Sequence, residues 1–500
     1  MAWRASSHFL PKNCVRREQL PTLVNYFLIA AAIGIFIAAA MPRFFYPYEA
    51  HWGEGSMLYQ VQRILDHKPL YGQPTIQYVA WLYEPIYYYL SASIASIAGI
   101  SFISDRIISL VATIALLIII YKVIRHETKS MYLGIGGIGL FIAAYGKTGY
   151  CMVVARIDPL FVLLLVICFV AVYYSKSFFS LVIGGLLFSL CCFTKQTALL
   201  FLPAICLYLW KSRSMKEMLS FVISCVICFA LVFFLFHSVY DNWFVYYTIK
   251  IPQGKAHFLR WGHAMSVLVT YVITRCWFIA ASMLIVSFFL MKKQSIHPAS
   301  FLFASFFASA LAAGFIGILY QGGENNVLLP AAAGSALFIP LIVHDFSISN
   351  KFPKIRQWII PLQIAFLISI PWRDKRNITT ENDKKNQDSF YRYVSSLSGE
   401  IWIPFHVIPE RLTGKKSYAE YFAVHEAIDA GDSASENLHL QFDTALVGKY
   451  WDFILSDLKE NYTYYHLIDS IGNLNKVHLY DDTNLYIYVP DTSSLGKEKD

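Results

Sequence analysis

The most constraining feature of this sequence is a series of apolar runs, each close to the length needed to cross a lipid bilayer. A helix that spans a hydrocarbon core of about 30 Å needs roughly 20 residues. The runs near that length cover 24–41, 106–122, 131–146, 158–174, 178–194, 197–210, 218–239, 264–290, 300–320, 327–344 and 357–371. The sequence therefore predicts an α-helical polytopic membrane protein with about eleven transmembrane helices.

The composition agrees with a membrane protein and excludes other classes. Charged residues make up 15% of the 500-residue chain and hydrophobic residues 56%, whereas soluble domains carry about 25% charged residues. The net charge of +8 does not indicate nucleic-acid binding, because the Lys and Arg residues lie in short clusters between apolar runs, where they orient membrane proteins. We expect membrane lipid as a partner and no nucleic acid.

The basic clusters also predict which side of the membrane each loop faces. If the N-terminus lies inside and the short, Tyr-rich run 85–100 lies at the interface, every basic cluster between spans falls on the inner side. This arrangement predicts a cytoplasmic N-terminus over 1–23, a membrane domain over 24–371 with its first outer loop at 42–105, and an extracytoplasmic domain over 372–500. The expected location is the inner membrane of a bacterium.

The composition turns polar after Trp372, where strand-like and helix-like segments alternate and predict a small C-terminal α/β domain. The predicted elements are a strand near 400–407, helices near 418–430 and 449–459, and strands near 462–468 and 477–489. His406, Tyr418 and His425 lie near the ends of these elements. We expect them to form one wall of an outer cleft, with a solvated cap as the alternative.

Two acids on the predicted outer face are candidate catalytic residues. Glu54 lies between two glycines just after the first span, where a carboxylate can stand in a cleft at the membrane surface. Asp158 begins a later span and is followed by Pro159. The alternatives are a solvated loop residue for Glu54 and a helix N-cap for Asp158. Glu49 is a second candidate acid in the first loop.

Arg156 and Lys195 are cations on the same predicted face. The positive-inside rule gives no reason for a lysine there, whereas binding of a phosphate does. The alternative for Lys195 is a side chain that only extends from an apolar run to the interface. We expect Arg156 and Lys195 to bind an anionic phosphate group.

Four further residues are candidates for the wall of a substrate cleft. Tyr83 and Glu84 precede the Tyr-rich run, where Glu84 could instead cap a helix. Glu324 and Asn325 lie in a Gly-rich segment that is a turn by composition. Acid and amide groups at such a position also suit the hydroxyl groups of a sugar.

Taken in chain order, these motifs resemble those of the GT-C glycosyltransferases, multi-span enzymes that use lipid-phosphate sugars. The resemblance is good over about 24–210 and extends to the remainder only in general layout. The matching motifs are Gly53-Glu54-Gly55, Tyr83-Glu84-Pro85-Ile86-Tyr87-Tyr88, Asp105-Arg106-Ile107-Ile108-Ser109-Leu110, Arg156-Ile157-Asp158-Pro159 and Thr194-Lys195.

The resemblance implies a membrane glycosyltransferase, either a hexosyl- or a pentosyltransferase. Such an enzyme moves a sugar from a polyprenyl-phosphate donor to a hydroxyl group of a lipid, glycan or protein acceptor on the extracytoplasmic face. The expected mechanism is direct displacement. An acidic general base takes the proton of the acceptor, and cations meet the charge that develops on the leaving phosphate.

The resemblance also implies residue roles. Glu54 would be the catalytic carboxylate of the first outer loop, Asp158 the acid of the second, and Lys195 the lysine that binds the donor phosphate. Many members have Asp-Glu where this chain has Gly53-Glu54, so the identity of the base stays open. Some relatives hold a divalent metal near the equivalent of Glu84. No Cys/His cluster here requires one, so no metal ligand is assigned, and a divalent metal stays an open alternative.

A polytopic transporter or lipid-sugar flippase is the alternative function. Transporters place charged residues near the bilayer midplane. In this chain the predicted spans are nearly free of charge, and the ionisable residues crowd one face. This distribution favours the transferase.

Overall fold

The structure is a computed structural model. It describes residues 12–253, 284, 296–320, 323–349, 355–369, 379–457, 459–462, 464–471 and 485–491. The predicted span 264–290, apart from residue 284, and the first part of the predicted strand 477–489 lie outside the described residues.

The described part of the chain up to residue 369 is built mainly from α-helices. The helices are α1 (Lys12–Phe45), α2 (Glu54–Leu65), α3 (Ile86–Ala98), α4 (Phe102–Thr128), α5 (Met131–Ala143), α6 (Asp158–Tyr174), α7 (Phe178–Cys192), α8 (Leu202–Ser212), α9 (Met215–Tyr240), α10 (Asn242–Val245), α11 (Pro298–Leu319), α12 (Leu329–Ile348) and α13 (Arg356–Ile368). Short 3-10 helices occupy Tyr145–Thr148, Gln196–Phe201, Ile251–Gln253 and Asn325–Leu328, and a π-helix occupies Tyr246–Lys250.

Five helical segments in the described part are long and apolar enough to cross a membrane. They are Leu20–Phe45, Phe102–Thr128, Met215–Tyr240, Pro298–Leu319 and Asn325–Ile348. The apolar helices α3, α5, α6, α7 and α13 are shorter, with 10–17 residues each. The protein is therefore a mostly helical, polytopic membrane protein, and the total of about eleven spans and the interfacial position of 85–100 stay predictions.

Close packing of these helices forms the core. In the apolar window of the segment that ends with α12, 89% of the residues are buried, against 17% in α9, so α12 is central and α9 peripheral. Small residues allow close contact between helices. A Cβ atom added at Gly185 of α7 would lie 2.7 Å from the Ser224 side chain of α9.

The described residues between 381 and 490 form four helices and four strands. The helices are α14 (Glu381–Ser396), α15 (Glu410–Thr413), α16 (Tyr421–Ile428) and α17 (Ser433–Val447), and the strands are β1 (Ile401–Trp402), β2 (Phe453–Ser456), β3 (Tyr465–Ile471) and β4 (Leu485–Pro490). The sheet order is β1-β2-β4-β3. β1 pairs with β2 in parallel, and the other two pairs are antiparallel.

The predicted helix near 449–459 is wrong, because this segment contains strand β2. The helix lies earlier, at Ser433–Val447. It starts there because Asp432 accepts hydrogen bonds from the backbone N–H groups of Ala434 and Ser435, which caps the helix N-terminus. β2 then pairs with both β1 and β4 and is the second strand of the sheet.

The C-terminal region packs on the first outer loop. Tyr71 and Tyr87 share one hydrophobic cluster with Trp402 and Trp451. The backbone N–H of Ala419 donates to Ile76 O at 3.0 Å. This contact brings α16 close to the loop that carries Glu54.

Candidate active site

Glu54 is the first residue of α2, and its carboxylate forms a bidentate ion pair with Arg106 of α4. Arg106 Nε donates to Glu54 Oε1 at 2.8 Å, and Nη2 donates to Oε2 at 2.6 Å. The backbone N–H groups of Ala50, His51 and Ala155 also donate to this carboxylate, at 2.7, 3.2 and 2.6 Å. The side chains of Glu54 and Arg106 are both 0% exposed.

The surroundings of the Glu54 carboxylate disfavour its predicted role as the general base. Burial alone would raise the pKa of Glu54, but Arg106 and the backbone N–H groups outweigh it and hold that pKa below its ordinary value. A general base needs a lone pair open to the acceptor hydroxyl, and both oxygens of Glu54 are already occupied. The geometry favours a positioning role, and the catalytic role of Glu54 stays a prediction.

The two glycines beside Glu54 allow close packing of the backbone. A Cβ atom at Gly55 would lie 2.2 Å from Val407 O of the C-terminal region. A Cβ atom at Gly53 would lie 2.5 Å from the Trp81 ring. Gly53 also has φ 85°, in the left-handed region that favours glycine. The Gly-Glu-Gly sequence therefore holds the loop between Trp81 and the C-terminal region.

Asp158 and Lys195 form a second buried ion pair. Lys195 Nζ donates to Asp158 Oδ1 at 2.7 Å, and Asn326 Nδ2 donates to Oδ2 at 2.8 Å. Asp158 makes no capping hydrogen bond to the backbone of α6, because Ile157 occupies the N-cap position. The start of α6, the segment after α7 and the 3-10 helix before α12 therefore meet at one carboxylate.

Arg156 and Glu324 lie beside this pair. Arg156 is 3% exposed and interacts electrostatically with Asp158. The Oε2 atom of Glu324 lies 3.7 Å from Arg156 Nη2 and 3.6 Å from His51 Nε2. The Glu324 side chain is 31% exposed, and within the described residues its carboxylate accepts no hydrogen bond. Of the acids placed here, Glu324 is the one whose carboxylate is open.

His51 is neutral in this cluster. Burial lowers its pKa, although Glu324 opposes that effect. His51 Nδ1 lies 3.0 Å from Trp52 O, a contact that requires the proton on Nδ1. Nε2 therefore carries the lone pair, and the Cys151 thiol lies 3.4 Å from it.

The predicted cleft residues separate into two groups. Tyr83 lies in the cluster, with its ring centroid 5.9 Å from Lys195 Nζ. Asn325 lies at its edge, where a Cβ atom on Gly149 would be 3.4 Å from Asn325 Cβ. Glu84 is 6% exposed. It interacts with Tyr71 and Cys192 and not with the charged side chains of the cluster.

The described residues around Glu84 offer no group of metal ligands. Burial raises the pKa of Glu84 well above its ordinary value, and ionisation of this carboxyl would need a compensating cation. Throughout the described part of the chain, no three His, Cys, Asp or Glu side chains are grouped in a way that could hold a metal.

The C-terminal residues predicted to line the cleft lie elsewhere. His406 is 6% exposed and lies between Glu49 and Asp457, with its Nδ1 2.7 Å from Glu49 Oε2. Tyr418 donates to Glu400 at 2.6 Å. His425 lies 3.1 Å from Asp429 on α16, with its side chain 47% exposed. None of the three contacts the ion cluster of Arg156, Asp158, Lys195 and Glu324 in the described structure.

Sequence reasoning missed Arg106, His51 and Asn326 as members of the site. Arg106 was visible as a charged residue in the first turn of a long apolar run, where only a buried acid or a ligand accommodates it. Asn326 adjoins two predicted cleft residues in the Asn-Asn pair of the turn. His51 had no signal that distinguishes it from a loop residue.

The cluster has the parts for acid–base chemistry on a phosphate-bearing substrate. Arg156 and Lys195 supply two cations at less than 10% exposure. Asp158 holds Lys195 in place, and Glu324 offers an open carboxylate beside Arg156. Charge-assisted hydrogen bonds from such cations are strong in a partly dehydrated site.

The sequence matches the profile of glycosyltransferase family 87 over residues 81–338, which is just over half of the 500-residue chain. The match includes Arg156, Asp158, Lys195 and Glu324, and begins after Glu54. A comparison with curated proteins finds no match.

The fold is similar to that of ArnT from Cupriavidus metallidurans. The structure of ArnT in the apo state superposes with a TM-score of 0.53 at 8% identity, covering 92% of this chain and 98% of ArnT. The structure of ArnT bound to undecaprenyl phosphate superposes with a TM-score of 0.56, also at 8% identity, covering 94% of this chain and 98% of ArnT.

These findings confirm the resemblance to GT-C glycosyltransferases, and they favour the transferase over a transporter or flippase. The apolar helices and the family agree on an integral membrane location. This multi-pass membrane protein belongs to glycosyltransferase family 87.

Proposed function

We propose that this glycosyltransferase moves a hexosyl or pentosyl group from a polyprenyl-phosphate donor to an acceptor hydroxyl. The observation that carries the proposal is the ion cluster, in which two buried cations lie beside one open carboxylate. The structure of ArnT bound to undecaprenyl phosphate supports this donor class, because its fold is similar.

The donor phosphate binds to Lys195 and Arg156 in this proposal. The ammonium group of Lys195 has three N–H donors, and its hydrogen bond to Asp158 uses one of them. Arg156 donates from Nη1 to Trp52 O at 3.3 Å, and its Nη2 faces the open side of Glu324. Asp158 therefore positions Lys195 without consuming its capacity to bind phosphate oxygens.

Glu324 is the proposed general base. The acceptor hydroxyl gives its proton to the Glu324 carboxylate while its oxygen forms a bond to the anomeric carbon of the sugar. The bond between that carbon and the phosphate oxygen breaks, and polyprenyl phosphate leaves with its electron pair. Lys195 and Arg156 stabilise the charge that develops on the phosphate.

The reaction is proposed for the extracytoplasmic face of a bacterial inner membrane. The positive-inside pattern supports this side, because the predicted topology puts every basic cluster between spans on the inner side and the residues of the ion cluster on the outer side. The lipid tail of the donor explains why the cations lie at the ends of α6 and α7, close to the membrane surface.

The base is tested with Glu324→Gln, which keeps the shape of the side chain and removes its basicity. Turnover of undecaprenyl-phosphate hexoses and pentoses by the purified protein in lipid nanodiscs should fall by about 10²–10⁴-fold. Undecaprenyl phosphate itself should bind with unchanged affinity. Glu410→Gln, at an exposed position of α15, is the control and should keep full turnover.

Three outcomes separate the alternatives. Full turnover in Glu324→Gln, together with lost turnover in a folded Glu54→Gln protein, would return the base to Glu54. Undiminished affinity for undecaprenyl phosphate in Lys195→Met would refute the donor site. Absence of transfer with every donor, combined with movement of the intact lipid-linked sugar between leaflets, would identify a flippase.

A further inference from the structure

Four aromatic side chains form a continuous wall beside the ion cluster. Trp52 and Trp81 have ring centroids 5.5 Å apart, and Trp81 and Tyr83 have centroids 5.8 Å apart. Phe422 of α16 meets Trp52 edge-on at 4.9 Å. Trp81 is 8% exposed, and the other three rings are half-buried. The first outer loop and the C-terminal region both contribute to this aromatic wall.

The aromatic wall is in direct contact with the proposed reaction centre. Arg156 Nη1 donates to Trp52 O at 3.3 Å. A Cβ atom on Gly53 would lie 2.5 Å from Trp81 and 3.0 Å from Arg156 Nη1, so the ring and the guanidinium flank the same glycine. Tyr83 lies under Lys195. A ring bound on this wall would therefore hold its substituents close to the donor phosphate.

Hydrogen-bonding groups without a described partner accompany the rings. The indole N–H groups of Trp52 and Trp81 are buried, and no described residue accepts a hydrogen bond from them. Such an unpaired N–H group destabilises the folded protein, and a ligand hydroxyl would accept its hydrogen bond. Native structures rarely leave such groups unused.

Glu426 adds a carboxyl group to the same side. It follows Phe422 by four residues on α16, so both side chains lie on one helix face. Glu426 interacts with Tyr83 and Tyr320. Burial and the charge of Glu420 raise the pKa of Glu426 to about 8, so at neutral pH its carboxyl both donates and accepts hydrogen bonds.

We propose that this aromatic wall is the subsite for the pyranose ring of a saccharide acceptor. The C–H face of a pyranose packs on the aromatic rings, while its hydroxyls reach the indole N–H groups and the Glu426 carboxyl. A serine or threonine side chain of a peptide acceptor has no ring to fill this surface. The inference rests on the proposed transfer reaction and specifies its acceptor class.

Entry of the sugar requires a small movement of Phe422. The indole nitrogens are covered in this structure, and Phe422 is the half-buried ring that closes against Trp52 from α16. In this proposal, rotation of that ring opens the surface of Trp52 to the sugar. Phe422 is therefore a positioning residue for the acceptor in this proposal.

Binding is tested apart from turnover by saturation-transfer NMR on the full chain in nanodiscs. The probes are methyl α-D-mannopyranoside, methyl β-D-glucopyranoside and methyl β-D-galactopyranoside, with cyclohexanol and a Ser/Thr peptide for comparison. At least one pyranoside should receive saturation at its C–H face. Trp81→Phe should weaken its binding about fivefold, because one hydrogen bond is lost, and Phe422→Ala should weaken it further.

The control is Trp210→Phe, at an exposed tryptophan at the far end of α8, which should leave pyranoside binding unchanged. Saturation of cyclohexanol equal to that of the pyranosides would overturn the proposal, as would transfer to the peptide alone. Loss of pyranoside binding in Trp210→Phe would also overturn it. If pyranosides fail while undecaprenyl phosphate still binds through Lys195, this inference fails and the proposed function stands.

Discussion

At the scale of single residues, the site divides its carboxylates between holding the structure and facing the substrate. Glu54 is occupied by Arg106, and Asp158 by Lys195 and Asn326. Glu324 retains an open carboxylate next to Arg156. A buried acid that accepts several charge-assisted hydrogen bonds is stabilised as the anion and is a weak base. The hydrogen-bond partners therefore indicate a structural role for Glu54 and Asp158 and a substrate-facing role for Glu324.

The Glu54–Arg106 pair leads to a prediction about stability. Glu54→Gln removes the charge that compensates a guanidinium at 0% exposure, and loss of one partner of a buried ion pair costs about 3–5 kcal/mol. We expect a clearly lower midpoint of thermal unfolding in detergent, with undecaprenyl phosphate still bound by the folded fraction. An unchanged midpoint with lost turnover would instead support Glu54 as the base. Glu410→Gln is again the control.

At the scale of elements, the ends of helices and the C-terminal segments meet at buried charges. His406 joins Glu49 of the first outer loop to Asp457, which directly follows β2. All three side chains are 7% exposed or less. Burial alone would lower the pKa of His406, but Asp457 and Glu49 outweigh it and raise that pKa well above its ordinary value. The contact of His406 with Glu49 and Asp457, called the link below, therefore places an imidazolium between two carboxylates.

The raised pKa of His406 predicts how the link depends on pH. The charge of His406 stabilises the contact fully below the ordinary pKa of about 6.5, and this contribution is lost as the pH rises through the raised value. Glu420 also interacts with His406, and its own pKa is raised to about 8 by burial, so its ionisation adds a further anion there at alkaline pH. Backbone hydrogen exchange at 401–408, corrected for intrinsic rates, should stay slow through neutral pH and accelerate in alkali.

The matched comparison is His406→Gln against His425→Gln. Removal of the His406 charge leaves two buried carboxylates uncompensated, at a cost of about 3 kcal/mol or more, so exchange at 401–408 should be fast at neutral pH. His425 is exposed and pairs with Asp429 one turn away, so its variant should behave as the wild type. Slow exchange in His406→Gln at pH 7 would contradict the role of the link.

At the scale of the whole molecule, the C-terminal region and the first outer loop form one packed unit. They share the hydrophobic cluster that contains Tyr71, Tyr87, Trp402 and Trp451. Removal of 385–500 would expose this cluster, so truncation cannot separate acceptor binding from folding. The point variants of the aromatic wall are the sharper probes of the C-terminal contribution.

The arrangement in the membrane gives the last prediction. In a cysteine-free background, Lys129→Cys and Lys416→Cys place single thiols at exposed positions after α4 and in the C-terminal region. A membrane-impermeant maleimide added outside intact cells should label position 416 and spare position 129, because the basic clusters hold the α4–α5 loop inside. Labelling of both positions from the same side would contradict this topology.

Short motifs were enough to locate three members of the ion cluster as candidate catalytic or phosphate-binding residues, and Glu324 as a candidate residue of the cleft wall. Arg156, Asp158 and Lys195 each adjoin an apolar run, where a charged residue is conspicuous because it is costly without a partner. Their partners could not be derived in the same way. Asn326 lies 168 positions from Asp158, and Arg106 lies 52 positions from Glu54. Only folding shows which charges neutralise one another.

The strand and helix order of the C-terminal region shows the same limit. The pattern of residues 449–459 is compatible with a helix, but pairing of β2 with β1 and β4 makes it a strand. Pairing partners override local preference because strand stability comes from cross-strand contacts.

The sequence by itself determined that this is a multi-pass helical membrane protein, because apolar length and the positions of basic residues are properties of a linear chain. It also placed the charged candidates in order along that chain. The tertiary structure decided which carboxylate is accessible, which cations lie beside it and which aromatic rings line the site. Those properties depend on contacts between distant residues, as between Glu49 and His406, which are 357 positions apart.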